Sequence, residues 1–139
     1  MSWVFYGVMA IVVVGFSDIA RKLASNLHDP FYTNLIFQTG SFLITVLLYV
    51  LFSRRFEWQP KDMAIAVAGG MLISVFTLLS FKALDIGPGV SVVMPALRIG
   101  GVVLVAVLGV VLLHEKLSMQ SFIGLLLSLA GIVLLFTSK

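Results

Sequence analysis

The sequence predicts an all-α integral membrane protein of five transmembrane helices, and three observations predict it. Five long apolar runs are separated by four short polar gaps. Each run is near or above the ~20 residues that cross a bilayer core as helix. Apolar residues make up 60% of the 139-residue chain and charged residues only 11%, whereas about a quarter of a soluble domain is charged. No soluble domain is left over, so residues 1–139 read as a single transmembrane domain.

The first run, residues 3–20, lacks the basic start and small-residue cleavage site of a signal peptide, and Arg21 and Lys22 follow it, so it reads as a retained helix. The second spans residues 31–52, introduced by Pro30, and the third spans residues 63–81. The fourth, residues 88–113, contains Pro95, and the fifth covers residues 117–136. Trp3, Tyr6, Tyr32 and Trp58 lie near span ends, where amphipathic aromatics favour the headgroup region, and read as anchors.

The absence of cysteine removes disulfides, thiol catalysis and thiolate metal sites. His28 and His114 fall in different gaps, so neither a metal site nor a cofactor is expected. The formal net charge of +3 gives no support to nucleic-acid binding. With no nucleophile-base pair or phosphate loop visible, the chain does not read as an enzyme.

Five crossings place the N-terminus and the loops 53–62 and 114–116 on one side of the membrane, with Arg54, Arg55, Lys61 and Lys116. The loops 21–30 and 82–87 and the C-terminus lie on the other, with Arg21, Lys22, Lys82 and Lys139. An excess of Lys and Arg on one side normally fixes orientation. A tie removes that instruction, and insertion in both directions is the expectation.

Arg98 is the one charge well inside a span. An arginine at mid-helix costs ~2.5 to 3.5 kcal/mol on insertion scales, so a compensating partner is expected. One reading is an anionic substrate group, because a guanidinium matches carboxylate or phosphate with paired hydrogen bonds. The other is a structural ion pair with Asp18 or Asp85. Pro95 removes a backbone N–H one turn earlier and frees a carbonyl near residue 91. Ser91 and Met94 add polar and soft contacts for a substrate, and Gly100 and Gly101 allow close approach.

Asp18 has Arg21 and Lys22 at i+3 and i+4, spacings that favour a local ion pair. Its alternative role is a proton-coupling carboxylate, with Gly15 and Ser17 beside it admitting water or substrate. Lys82 and Asp85, three apart, are expected to form an ion pair or a gate. Gln38, Thr39 and Ser41 in the second span, with Ser74, Thr77 and Ser80 in the third, supply uncharged polar groups for a substrate cavity. Ser74, Thr77 and Phe81 share a helix face, although hydroxyls in such helices commonly bond back to their own carbonyls. Gly124 and Gly131, seven apart in the last span, lie on one face and are the expected dimer contact.

From Phe81 onward the chain reads FKALDIGPGVSVVMPALRIGGVVLVAVLGVVLLHEKLSMQSFIGLLLSLAGIVLLF. This resembles the second part of an EamA repeat of the drug/metabolite transporter superfamily. The shared elements are the aromatic turn of Phe81 to Leu84, the internal Pro95, the Glu115 to Ser118 motif, Ile123 with Gly124, and the later Gly131. The stretch GFSDIARKLASNLHDPFYTNLIFQTGSF fits the first part of the repeat. The small multidrug resistance proteins are less similar, and the essential membrane carboxylate of that group corresponds to Val14 here, so their proton exchange does not carry over.

Larger members of the superfamily contain two five-helix repeats of opposite orientation with the substrate site between them. The resemblance therefore implies that a one-repeat chain finds its second half in an antiparallel homodimer, or in an oppositely oriented paralogue. It implies a secondary transporter of a small metabolite in a bacterial or archaeal inner membrane, and Arg98 tilts the substrate towards an anion or zwitterion. The alternatives are a flippase for lipid-linked sugars or phospholipids, a small drug exporter, and a non-transporting membrane assembly subunit.

Overall fold

A computed structural model describes residues 3–26, 29–53 and 59–137. Trp58, His28, Arg54, Arg55 and Lys139, which the sequence assigns to anchoring or to the loop and charge distribution, lie outside the described residues. Five helices form: α1 (Trp3–Ser25), α2 (Pro30–Phe52), α3 (Pro60–Ile86), α4 (Val90–Leu113) and α5 (Met119–Thr137). All are long and apolar enough to cross a membrane, and no strand occurs among the described residues. The shortest, α5, has 19 residues and so measures about 28 Å, close to the ~30 Å hydrocarbon core.

Burial runs opposite to that of a soluble domain. Among the described residues the buried polar side chains are Asp18, Arg21, Ser25, Thr33, Thr77 and Ser80, and the buried apolar ones only Phe81, Leu84, Met94 and Ala96. Phe16, Phe42, Leu72, Val105 and Leu134 are exposed instead. Lipid offers a hydroxyl or a charge no partner, so polar groups turn inward and apolar ones face the hydrocarbon.

The helix limits follow local chemistry. The α2 start is set by Asp29, whose carboxylate accepts from the Phe31 and Tyr32 amides at 2.9 and 3.2 Å, with Pro30 in the first turn. Ser118 caps α5 by accepting from the Ser121 amide at 3.1 Å, which moves the start from the expected 117 to Met119. The α4 start shifts from 88 to Val90 because Gly89, with φ of 155°, occupies the cap position. At the other end His114 turns left-handed, with φ of 54°, and Glu115 donates its amide to the Gly109 carbonyl at 3.1 Å.

Helices α1 and α3 outrun the apolar spans, ending at Ser25 and Ile86 rather than 20 and 81. The added turns, Arg-Lys-Leu-Ala-Ser and Lys-Ala-Leu-Asp-Ile, are largely good helix formers, and nothing breaks the second until Gly87 and Pro88. Pro95 lies inside α4, which continues through it as one helix.

The chain divides into two compact units, Met1–Ile86 and Gly87–Lys139. In the first, α3 packs against α1 and α2, and α1 also touches α2. In the second, α4 packs against α5. Hydroxyls in the helices bond within their own helix: Thr39 to the Leu35 carbonyl, Thr45 to Ser41, Thr77 to Ile73 and Ser80 to Phe76, each at 2.8 Å.

Candidate functional site

The first unit gathers charge and aromatic surface where α1 and α3 end and α2 begins. One face of α1 carries Asp18, Arg21 and Ser25, all buried. Arg21 Nη1 stands 3.3 Å from Asp18 Oδ1, and each residue is 8% exposed. The i,i+3 pair expected from the sequence is therefore present, and it is withdrawn from solvent.

Arg21 also lies over α2. Its guanidinium carbon is 4.9 Å from the centre of the Phe37 ring, a placement in which the ring quadrupole attracts the cation. Phe37 in turn meets Phe81 of α3 edge-to-face, with centroids 5.7 Å apart and planes at 79°. Phe81 is fully buried, and Thr77 and Ser80 are buried beside it in sequence with their hydroxyls on their own helix. Asp18, Arg21, Phe37 and Phe81 thus form one continuous chain of contacts across three helices.

Lys22 does not join Asp18. Its Nζ donates to the Leu84 carbonyl at 2.8 Å. Leu84 is one of the last residues of α3, where a helix leaves carbonyls without an internal partner, and a lysine supplies both the donor and a charge opposed to the helix dipole.

The Lys82–Asp85 ion pair expected from spacing is not formed among the described residues. Lys82 places its Nζ 4.6 Å from the centre of the Phe31 ring on α2. Because α3 continues as helix past residue 81, Lys82 is carried alongside α2, where an aromatic face attracts the ammonium. Asp85 is exposed at the end of α3.

On α2, Gln38 is half-buried, as are Phe37 and Asn34. The Asn34 Oδ1 is enclosed with no hydrogen-bond partner among the described residues. Sequence reasoning missed Asn34 and Phe37 as site residues. The available signal was the spacing of Asn34, Phe37 and Gln38 at i, i+3 and i+4, which puts them side by side on the helix.

In the second unit, Ser91, Met94, Pro95 and Arg98 share one face of α4, at i, i+3, i+4 and i+7. Met94 is buried, Pro95 and Arg98 are half-buried, and Ser91 is exposed. The Arg98 Nε is enclosed. Arg98 begins the third turn of α4, about 12 Å from its start. Ser74, half-buried on α3, shares a face with Thr77. On α5, a Cβ added at Gly124 or Gly131 would meet nothing within 4 Å, so neither glycine is there to admit a close neighbour within its own chain. No group of three or more metal-ligating side chains occurs among the described residues.

An uncharacterized protein of Methanocaldococcus jannaschii is 24% identical over 136 residues, which is 98% of this chain and 97% of that protein. No solved structure matches the chain. The EamA-like transporter family matches residues 1–137, nearly the full length. With five membrane-crossing helices and an inward-turned polar face, the chain belongs to the EamA-like transporter family, membrane transporters of the drug/metabolite superfamily.

Proposed function

We propose that the chain is a secondary transporter of a small anionic or zwitterionic metabolite, working by alternating access as an antiparallel, dual-topology homodimer in a bacterial or archaeal cell membrane. The observation that carries this reading is the charge balance. An odd number of helices with four Lys or Arg residues on each side gives the chain no preferred orientation.

Two copies inserted in opposite senses supply the inverted pair of repeats that encloses a midplane site. In a symmetric pair the inward-open and outward-open states are one structure with the protomers exchanged. Their energies are equal, and direction comes from gradients. Arg98 binds the anionic group of the substrate, with Ser91, Met94 and Pro95 on the same face of α4, and Ser74, Thr77 and Gln38 give uncharged polar contacts. Asp18 couples transport to an ion, Lys82 and Asp85 act at a gate, and Gly124 and Gly131 form the contact between copies.

The lack of cysteine makes the test direct. A single cysteine appended after Lys139 is exposed to a membrane-impermeant thiol reagent in sealed cells. Comparable labelling from both sides is expected. Labelling from one side alone removes the homodimer and leaves a parallel assembly or an oppositely oriented paralogue.

A further inference from the structure

The Asp18–Arg21 pair has features of an exchangeable partnership. Its 3.3 Å contact is longer than the 2.7–2.9 Å typical of a charge-assisted bond. The guanidinium is held from another side by the Phe37 ring, so its position does not depend on Asp18 alone. Asp18 also has a second cation within reach: Lys22 lies at i+4 and now serves the Leu84 carbonyl.

We infer that Arg21 is a second anion-recognising residue, which takes a carboxylate or phosphate of the substrate in place of Asp18 while Asp18 passes to Lys22. This rests on the reading of the substrate as anionic or zwitterionic. The exchange keeps every buried charge compensated, as a low-dielectric site requires. It has a mechanical consequence as well, because Lys22 must leave Leu84 to receive Asp18. Anion binding therefore unfastens α1 from the end of α3. Phe37 and Phe81 act as positioning residues that hold the guanidinium in place through the exchange.

The test uses the full chain in detergent, with inorganic phosphate and acetate as probes and chloride as control, and reads the ligand-dependent rise in melting temperature. Asp18→Asn removes the competing carboxylate and keeps the side-chain volume. It is expected to lower the half-saturating probe concentration roughly tenfold. The double variant Asp18→Asn with Arg21→Met removes both charges and is expected to lose the tightened response of Asp18→Asn, keeping only what Arg98 supplies. Lys22→Met, which removes the cation at i+4 from Asp18, is expected to raise the half-saturating concentration.

A response that is equal in wild type, Asp18→Asn and the double variant overturns the assignment and leaves the pair as a fixed staple between helices. So does the absence of a response in both wild type and Asp18→Asn. Loss of Arg21-dependent binding with labelled-anion flux intact in proteoliposomes overturns the Arg21 site alone. Arg21-dependent binding without flux of any labelled anion, amino acid or cation overturns the transport reading and leaves the site standing.

Discussion

Lys22 on α1 and Leu84 on α3 are joined by a 2.8 Å hydrogen bond from the ammonium to the main-chain carbonyl. The bond connects residues 62 apart in sequence and closes the end of α3 with a charge from another helix. Lys22→Met is expected to destabilise the protein by about 1–2 kcal/mol, since it leaves a partly buried carbonyl unpaired. Lys22→Arg is expected to retain most of the stability. Unfolding titrations in mixed micelles compare the two.

The buried pair gives a sharper contrast. Arg21→Met alone takes the Arg21 charge away from the Asp18 carboxylate, 8% exposed, and is expected to cost up to about 3–5 kcal/mol, the less the more Lys22 moves over to Asp18. The double variant with Asp18→Asn removes both charges and is expected to recover most of that loss. A double-mutant cycle on melting temperature and unfolding free energy checks it, and purely additive losses would contradict it.

The Arg98 assignment separates transport from assembly. Arg98→Gln is expected to keep the protein in the membrane at normal abundance and to lower transport kcat/KM at least roughly thirtyfold, the scale of losing one partner of a buried charged contact. A lower dimer fraction with unchanged flux per dimer would instead mark Arg98 as an assembly residue.

Much of the architecture was legible in the sequence because bilayer thickness dictates span length. The places where it was not are instructive. Counting apolar residues ends the first and third spans early, since Arg21, Lys22, Lys82 and Asp85 are polar, but helix formation does not stop at polarity. Spacing alone pairs Lys82 with Asp85, whereas in three dimensions Phe31 on a neighbouring helix holds the ammonium. The same limit hid Asn34 and Phe37. Helical spacing puts the two on one face of α2, but that Phe37 meets Arg21 of α1 and Phe81 of α3 is a fact of packing that spacing within α2 does not carry.

Gly124 and Gly131 offer a test of the proposed pairing of copies. A Cβ at either position meets nothing within 4 Å beyond its own stretch of helix, and leucine is a good helix former, so Gly124→Leu and Gly131→Leu are expected to preserve the helices. They are expected to reduce the dimer fraction severalfold by blocking close approach of a second α5. Cross-linking in native membranes reads the effect, with circular dichroism as the control for helix content.

Capping supplies a local prediction independent of transport. Asp29→Ala removes the acceptor for two amides at the start of α2 and is expected to cost about 1 kcal/mol. Asp29→Ser is expected to restore most of it in the same unfolding assay.

The hydroxyls of α3 bear on how the helices move. Thr77 and Ser80 are buried, yet each is satisfied by a carbonyl one turn back in the same helix. Neither depends on a neighbour for its hydrogen bond, so a small rotation or slide of α3 breaks none of these bonds. The buried hydroxyls are then no weld between helices, since they travel with α3, and the hydrogen bond that fastens α3 to α1, Lys22 on Leu84, lies at one end.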